Sequence, residues 1–223
     1  NIILGSTGML LNRIKVTGIG DVLLTADHIY MLEAMRNGLV YNDSVRVVSY
    51  VFIALIVRRG NPFNITCLND LVVKNVKIGV ANPDVAPFGK MAVEVLKHNN
   101  IFDLVKDKLL VFQDVGSVAK QLILGYIDVA LLPFNIHFQY VDETEIIWLK
   151  PGELPKQSCQ LIAVLKTTRT RELAYDFVNY LVNRVRNSDE FLHIGIVGKL
   201  SDIPRITPYS VNDVVFEEVC MVG

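Results

Sequence analysis

The sequence predicts an α/β fold with mainly parallel sheets flanked by helices. Short apolar runs of strand length alternate along the chain with segments of helical period, the pattern of strand–helix–strand units. Polar loops containing Gly, Ser, Asp or Pro separate the two kinds of segment. The length of 223 residues exceeds a typical single domain and fits two lobes sharing one chain.

Asn1-Ile-Ile-Leu4 reads as a short strand ending at Gly5, and Ser6-Thr7-Gly8 then caps a helix carrying Met9, Leu10, Leu11 and Ile14. Asp21 to Thr25 reads as a strand. Asp27 caps a second helix with Ile29, Met31, Leu32 and Met35, closed by Gly38. Val45 to Val57 holds one or two strands, and Leu68 to Val72 a short helix. The grammar repeats: strand Val76 to Val80, helix Met91 to His98, strand Leu109 to Phe112, helix Val118 to Leu124, strand Asp128 to Leu132. Gln160 to Leu165 is a further strand, and Glu172 to Arg184 a long amphipathic helix.

Composition excludes several function classes. Hydrophobic residues make up 51% and charged residues 20%, enough for a large core and against disorder. Net charge is −1 from 22 basic and 23 acidic residues, without the basic surplus or stripe of a nucleic-acid binder. The most apolar stretch is too short to span a bilayer. The three cysteines, Cys67, Cys159 and Cys220, form no metal-ligand spacing; they allow one disulfide, with the pairing open. The four histidines are scattered, and no GxSxG, HExxH or phosphate-loop motif occurs, so no enzyme is expected. No cofactor is expected either.

Three loops stand between a strand and a helix: Gly5-Ser6-Thr7-Gly8, Pro83-Asp84-Val85-Ala86-Pro87-Phe88-Gly89, and Asp114-Val115-Gly116-Ser117. In open α/β sheets ligands bind beyond the carboxyl ends of strands. Helix N-termini there offer free N–H groups and a dipole that favours anions. Ser6 and Thr7 add hydroxyl donors, and Gly8 and Gly89 let backbone come close. Neutral donors suit a fully ionised tetrahedral anion, which brings no proton to match an acceptor. Taken singly, each loop reads as a helix cap or a turn; the set of three is what points to anion binding.

Four stretches resemble the molybdate/tungstate-binding proteins of ABC importers, a branch of the type II periplasmic-binding-protein fold. They are Gly5-Ser-Thr-Gly-Met-Leu-Leu-Asn-Arg-Ile14, Gly20-Asp-Val-Leu-Leu-Thr-Ala-Asp27, Val80-Ala-Asn-Pro-Asp-Val-Ala-Pro-Phe-Gly89, and Asp103 through Asp114-Val115. The resemblance implies two lobes closing on the anion, one formed by residues 1–51 and 164–223 and the other by 52–163. It implies hydroxyl contacts from Thr7 with Ser6 beside it, and backbone N–H donors at Phe88 and Val115. Asp84 is the carboxylate placed in a suitable loop. It further implies molybdate or tungstate as ligand, an ABC permease as partner, and a periplasmic or extracellular location compatible with membrane anchoring. Two departures are visible. The family opens with a strand and a Ser-bearing helix for which nothing precedes Asn1, and a dimer completing the sheet is expected if that segment is absent. Pro133 stands where the family often places a ligand-binding Tyr. Both departures motivate the alternative of a sensor or interaction module with altered anion binding.

Overall fold

The computed structural model of the chain describes residues 1–221. Residues 1–5 carry no regular structure, and Ile2 and Leu4 are 89% and 86% exposed. The strand expected at Asn1–Leu4 is therefore not formed. No ladder partner lies beside it among the described residues, and an extended segment without one leaves its backbone groups to water. Helix α1, Thr7–Thr17, comes next and buries Thr7, Leu11 and Ile14, a single stripe at helical spacing. Gly18 ends it with φ of 61° and returns its N–H to the Ile14 carbonyl, a left-handed cap that glycine adopts without strain.

Strand β1, Val22–Thr25, leads into α2, His28–Arg36, whose N-cap Asp27 accepts the Tyr30 N–H. The apolar run Val45 to Val57 resolves into two strands, β2 at Arg46–Val51 and β3 at Ile53–Arg58, with Phe52 between them. Then come α3 (Asp70–Val73), β4 (Ile78–Ala81), α4 (Pro87–His98), α5 (Phe102–Val105) and β5 (Leu109–Phe112). The chain continues through α6 (Val115–Ile123), β6 (Val129–Pro133), α7 (Asn135–Gln139), β7 (Thr144–Ile147) and β8 (Ser158–Val164). It ends in α8 (Arg171–Arg186), α9 (Asp189–His193) and α10 (Ile203–Ile206), with short 3-10 turns between and after them.

Two sheets form. One has the order β1-β8-β2 with both ladders antiparallel; the other has the order β5-β4-β6-β3-β7. The α/β class with helix-flanked sheets is as expected, but parallel pairing is confined to β4, which runs parallel to β5 and to β6. Parallel neighbours arise where a helix carries the chain back across the sheet, as α4 and α6 do. Strands β3 and β8 instead arrive from the other sheet and run antiparallel to their neighbours. Since β8 is bonded to β1 and β2, the chain returns to the first sheet between Ile147 and Ser158, upstream of the expected boundary at 163/164.

Alternation along β4 places two helices on opposite faces. Ile78 and Val80 share a cluster with Met91, Ala92, Val95 and Leu96 of α4, whereas Ala81 packs with Val118, Ala119 and Leu122 of α6. Helix α8 covers the first sheet, setting Ala174, Val178, Val182 and Val185 against Val48, Ile162 and Val164. Each buried valine there contributes about 1.5–3 kcal/mol relative to exposure.

Cys159 of β8 is disulfide-bonded to Cys220, and both are fully buried; Cys67 is free. The bond pins the C-terminal segment to the centre of the first sheet. Among the described residues no helix is long and apolar enough to cross a membrane.

Candidate functional site: strand-end loops facing helix N-termini

Because β5, β4 and β6 are mutually parallel, the loops that leave them emerge at one edge of the sheet. The loop after β4 is tied to its neighbour at its first residue, where the Asn82 N–H donates to the Phe112 carbonyl at 2.7 Å. It then coils on itself. The Asn82 side-chain oxygen accepts the Asp84 N–H at 3.0 Å and the Asn82 carbonyl accepts the Ala86 N–H at 2.8 Å. Pro87, at the first turn of α4, has no N–H to offer. Phe88 therefore carries the first N–H of the helix that lacks an intrahelical acceptor, since the Gly89 and Lys90 N–H groups bond the Ala86 carbonyl.

Gly89 sets how closely this helix approaches the strand. A Cβ there would lie 2.2 Å from the Ala81 carbonyl oxygen, 2.7 Å from its carbon and 2.9 Å from the Asn82 carbonyl carbon. All three neighbours are backbone, so nothing can swing aside.

At the end of β5, Asp114 caps α6 by accepting the Ser117 N–H at 2.7 Å on its side chain and the Val118 N–H at 3.1 Å on its carbonyl. That commits the third and fourth donors of the end. The Val115 and Gly116 N–H groups come before the first intrahelical bond. Val115 is half-buried against the α6 cluster.

Thr7 stands on the first sheet's side. It is 5% exposed, and its hydroxyl oxygen accepts the Ala26 N–H at 3.2 Å, which fixes the chain just beyond β1. The hydroxyl hydrogen is left to donate elsewhere. Ser6 occupies the N-cap position but makes no side-chain cap bond, and its side chain is exposed. The structure sets the Phe88 and Val115 loops side by side at the ends of neighbouring parallel strands, and Thr7, with Ser6 before it, beside Ala26 at the end of β1. Asp84 is exposed, with its N–H committed to Asn82.

Several neighbours escaped the sequence reading. Asp27 is 2% exposed, and burial pushes its carboxyl above the usual carboxylate range. The Tyr30 N–H and the charges of His28 and Lys90 pull the other way without cancelling that rise. Lys90 lies in the first turn of α4, so its charge reaches the start of α2 from the second sheet's side. His28 donates its backbone N–H to the Ser158 hydroxyl at 3.1 Å and bonds it again through Nδ1 at 2.9 Å. A lysine next to a loop glycine gives no sequence signal of its own. Among the described residues no group of three or more His, Cys, Asp or Glu is arranged to hold a metal. Two surface hollows, one between Arg171 and Asp176 and one between Lys97 and Asp103, include none of these loop residues.

Open helix N-termini at neighbouring parallel strand ends favour an anion through free N–H groups and aligned dipoles. Residues 1–185 match the family of bacterial extracellular solute-binding proteins, and the chain belongs to that family. The family is one of binding proteins rather than enzymes.

A Bacillus subtilis (strain 168) protein named as an ABC transporter substrate-binding lipoprotein, YvgL, is 24% identical over 198 residues, covering 85% of this chain and 70% of its own length. The fold is similar to that of the periplasmic molybdate-binding protein of Azotobacter vinelandii, with a TM-score of 0.69 and 19% identity over 86% of this chain and 84% of that one. It is also similar to the sulfate-binding protein SubI of Mycobacterium tuberculosis H37Rv, with a TM-score of 0.71 and 15% identity over 95% of this chain and 81% of that one. At such identities the likeness establishes the type II periplasmic-binding-protein fold.

Proposed function

We propose that this chain captures a tetrahedral oxyanion of the molybdate or tungstate kind and hands it to the permease of an ABC importer. The observation that carries this reading is the pairing of the β4 and β5 loops. It sets the free N–H groups of α4 at Phe88 and of α6 at Val115 at the ends of neighbouring parallel strands. Two neighbouring helix N-termini favour an anion through unpaired donors and aligned peptide dipoles. The hydroxyls of Thr7 and Ser6 supply donors from the opposite side. In this reading the sheets act as two lobes. One holds residues 1–51 together with β8 and the C-terminal helices, the other residues 52 to about 157, and they close on the anion from both sides.

The names of the similar proteins agree with this: one is a substrate-binding lipoprotein of an ABC transporter, the others bind molybdate and sulfate. Molybdate and tungstate carry the same charge and nearly the same size, so the proposal covers both. Titration calorimetry with molybdate, tungstate, sulfate and phosphate tests it. Saturable heat with molybdate or tungstate is expected, with a rise in melting temperature that grows with ligand concentration. Absence of heat and of any thermal shift with all four anions refutes it.

A further inference from the structure

We propose that the C-terminal segment Tyr209–Cys220 is a third element of the hinge, which limits how far the two lobes swing apart and so sets part of the affinity for the anion; this rests on the two-lobe oxyanion reading above. The chain crosses between the sheets twice, at Phe52 and between Ile147 and Ser158. The segment comes after residues 1–185, the part that matches the solute-binding family, and it returns to lie along the second crossing.

Three contacts hold it there. At its start Tyr209 is buried, its hydroxyl donates to the Leu149 carbonyl just past β7, and its ring meets Trp148 edge-on at 5.7 Å. In its middle Phe216 pairs with Gln157 in a parallel bridge: the Gln157 N–H donates to the Val215 carbonyl at 2.7 Å, and the Glu217 N–H to the Gln157 carbonyl at 3.0 Å. At its end Cys220 is disulfide-bonded to Cys159 of β8. The first contact lies on the second sheet's side of the crossing and the last on the first sheet's side, so the segment spans the crossing as a splint. Gln157 carries the tie to the other crossing, where its side-chain oxygen accepts the Ile53 N–H at 3.1 Å.

Swinging one lobe against the other changes backbone angles in both crossings, and in the second these fall between Leu149 and Cys159. With the segment fastened at both ends of that stretch, the lobes reach only the arrangements that the segment can follow. Chain ends otherwise lift away at low cost, and the covalent bond at Cys220 prevents this. Lobes that explore fewer open arrangements give up less freedom when they close, and a larger share of them is ready to bind.

The test compares the parent chain with Cys159→Ala/Cys220→Ala and with Glu217→Pro. Both cysteines are fully buried, so alanine opens the bond without leaving a hydroxyl unpaired there. Glu217→Pro keeps the bond and removes one donor to Gln157, at the position before the 3-10 turn Glu218–Met221, where proline is tolerated. Small-angle X-ray scattering of the unliganded chains and calorimetric titration with molybdate, well below the melting temperatures, give the readouts. The double variant is expected to have a larger radius of gyration than the parent, to return to the parental value at saturating molybdate, and to bind about 5-fold more weakly or worse, the low end of ordinary coupling between sites. Glu217→Pro is expected to fall between the two, and carries the test alone if the double variant does not fold. Parental scattering and affinity overturn the proposal, even with a lowered melting temperature, and so does tighter binding. An excess radius that persists at saturation comes from a loosened tail and overturns it too. A parent that binds none of the four anions fails at the earlier reading, and the unliganded scattering then still decides whether the segment restrains the lobes.

Discussion

Replacing Gly89 by alanine tests the site through its tightest backbone contact. The added Cβ would stand 2.2 Å from the Ala81 carbonyl oxygen and under 3 Å from two carbonyl carbons. Non-bonded heavy atoms settle at roughly 3.5–4.0 Å, so the first turn of α4 has to retreat by about 1 Å or more. The retreat loosens the packing of Met91 and Ala92 on β4, at about 1–3 kcal/mol, the usual cost of an overpacked core position. For a chain of this size that is a drop in melting temperature of roughly 3–10 °C. The same retreat carries the Phe88 N–H beyond hydrogen-bond range of an anion held by the other loops, because a bond near 2.9 Å does not survive a shift of about 1 Å. Losing one bond to a charged ligand weakens binding about 10- to 100-fold. Gly152→Ala serves as control, since a Cβ there meets nothing within 4 Å and is expected to leave both quantities nearly unchanged. Calorimetric titration with molybdate and a thermal melt of both variants give the readout. A Gly89→Ala chain with parental affinity and parental melting temperature would refute the claim that this approach positions a donor.

Three further outcomes rest on the same contacts. Opening the Cys159–Cys220 bond by the double serine variant releases a closure of 61 residues, worth up to about 4 kcal/mol by chain entropy; urea unfolding should show that loss, and an unchanged midpoint at equal slope would contradict it. Thr7→Val removes the acceptor of the Ala26 N–H and the hydroxyl donor together, so both stability (about 1–3 kcal/mol) and molybdate affinity should fall, while Thr7→Ser should keep most of each. Asp27 binds its proton more tightly in the folded chain than in the unfolded one, so stability falls as pH rises from the ordinary value near 3.8 up to the raised one; Asp27→Asn keeps the cap acceptor and should remove that part of the pH dependence in melts taken across the interval.

Much of the element order could be read from residue pattern alone because the signals are local. Asp27 and Asp114 each precede an apolar periodic run, and each caps the helix it announces. The run Val45 to Val57 showed itself as strand, and only the packing of Phe52 decides that it is two strands in different sheets. Strand direction was not readable, since β3 and β8 run as they do because of where the chain comes from, not because of their own composition. The strand assigned to Asn1–Leu4 had the right residues and has no neighbour to pair with among the described residues. Of the three cysteines, Cys159 and Cys220 meet because β8 is central in its sheet and the C-terminal segment folds back on it. The loops at Thr7 and Val115 stood out as helix caps and the Phe88 loop as a turn, each between a strand and a helix. Lys90 and the buried state of Asp27 did not, because each matters only through residues distant in sequence.

The crossings between the sheets explain why substitutions should separate into two kinds. The chain crosses at Phe52 and again between Ile147 and Ser158, and the two crossings are bonded to each other through the Gln157 side chain, which accepts the Ile53 N–H at 3.1 Å. Gln157 is 1% exposed, and its own N–H donates to the Val215 carbonyl. Around them Phe52, Phe134, Trp148, Tyr209 and Phe216 form a set of aromatic contacts between 4.4 and 6.4 Å, and the Tyr209 hydroxyl donates to the Leu149 carbonyl. Such pairs add about 0.5–1.5 kcal/mol each beyond the area they bury. The stability of the junction is therefore held by rings and buried bonds, while the N–H groups of Phe88 and Val115 lie ahead of the first bonds of their helices and have no hydrogen-bond partner among the described residues. A change in the first group acts on folding, and a change in the second acts on the grip of the loops.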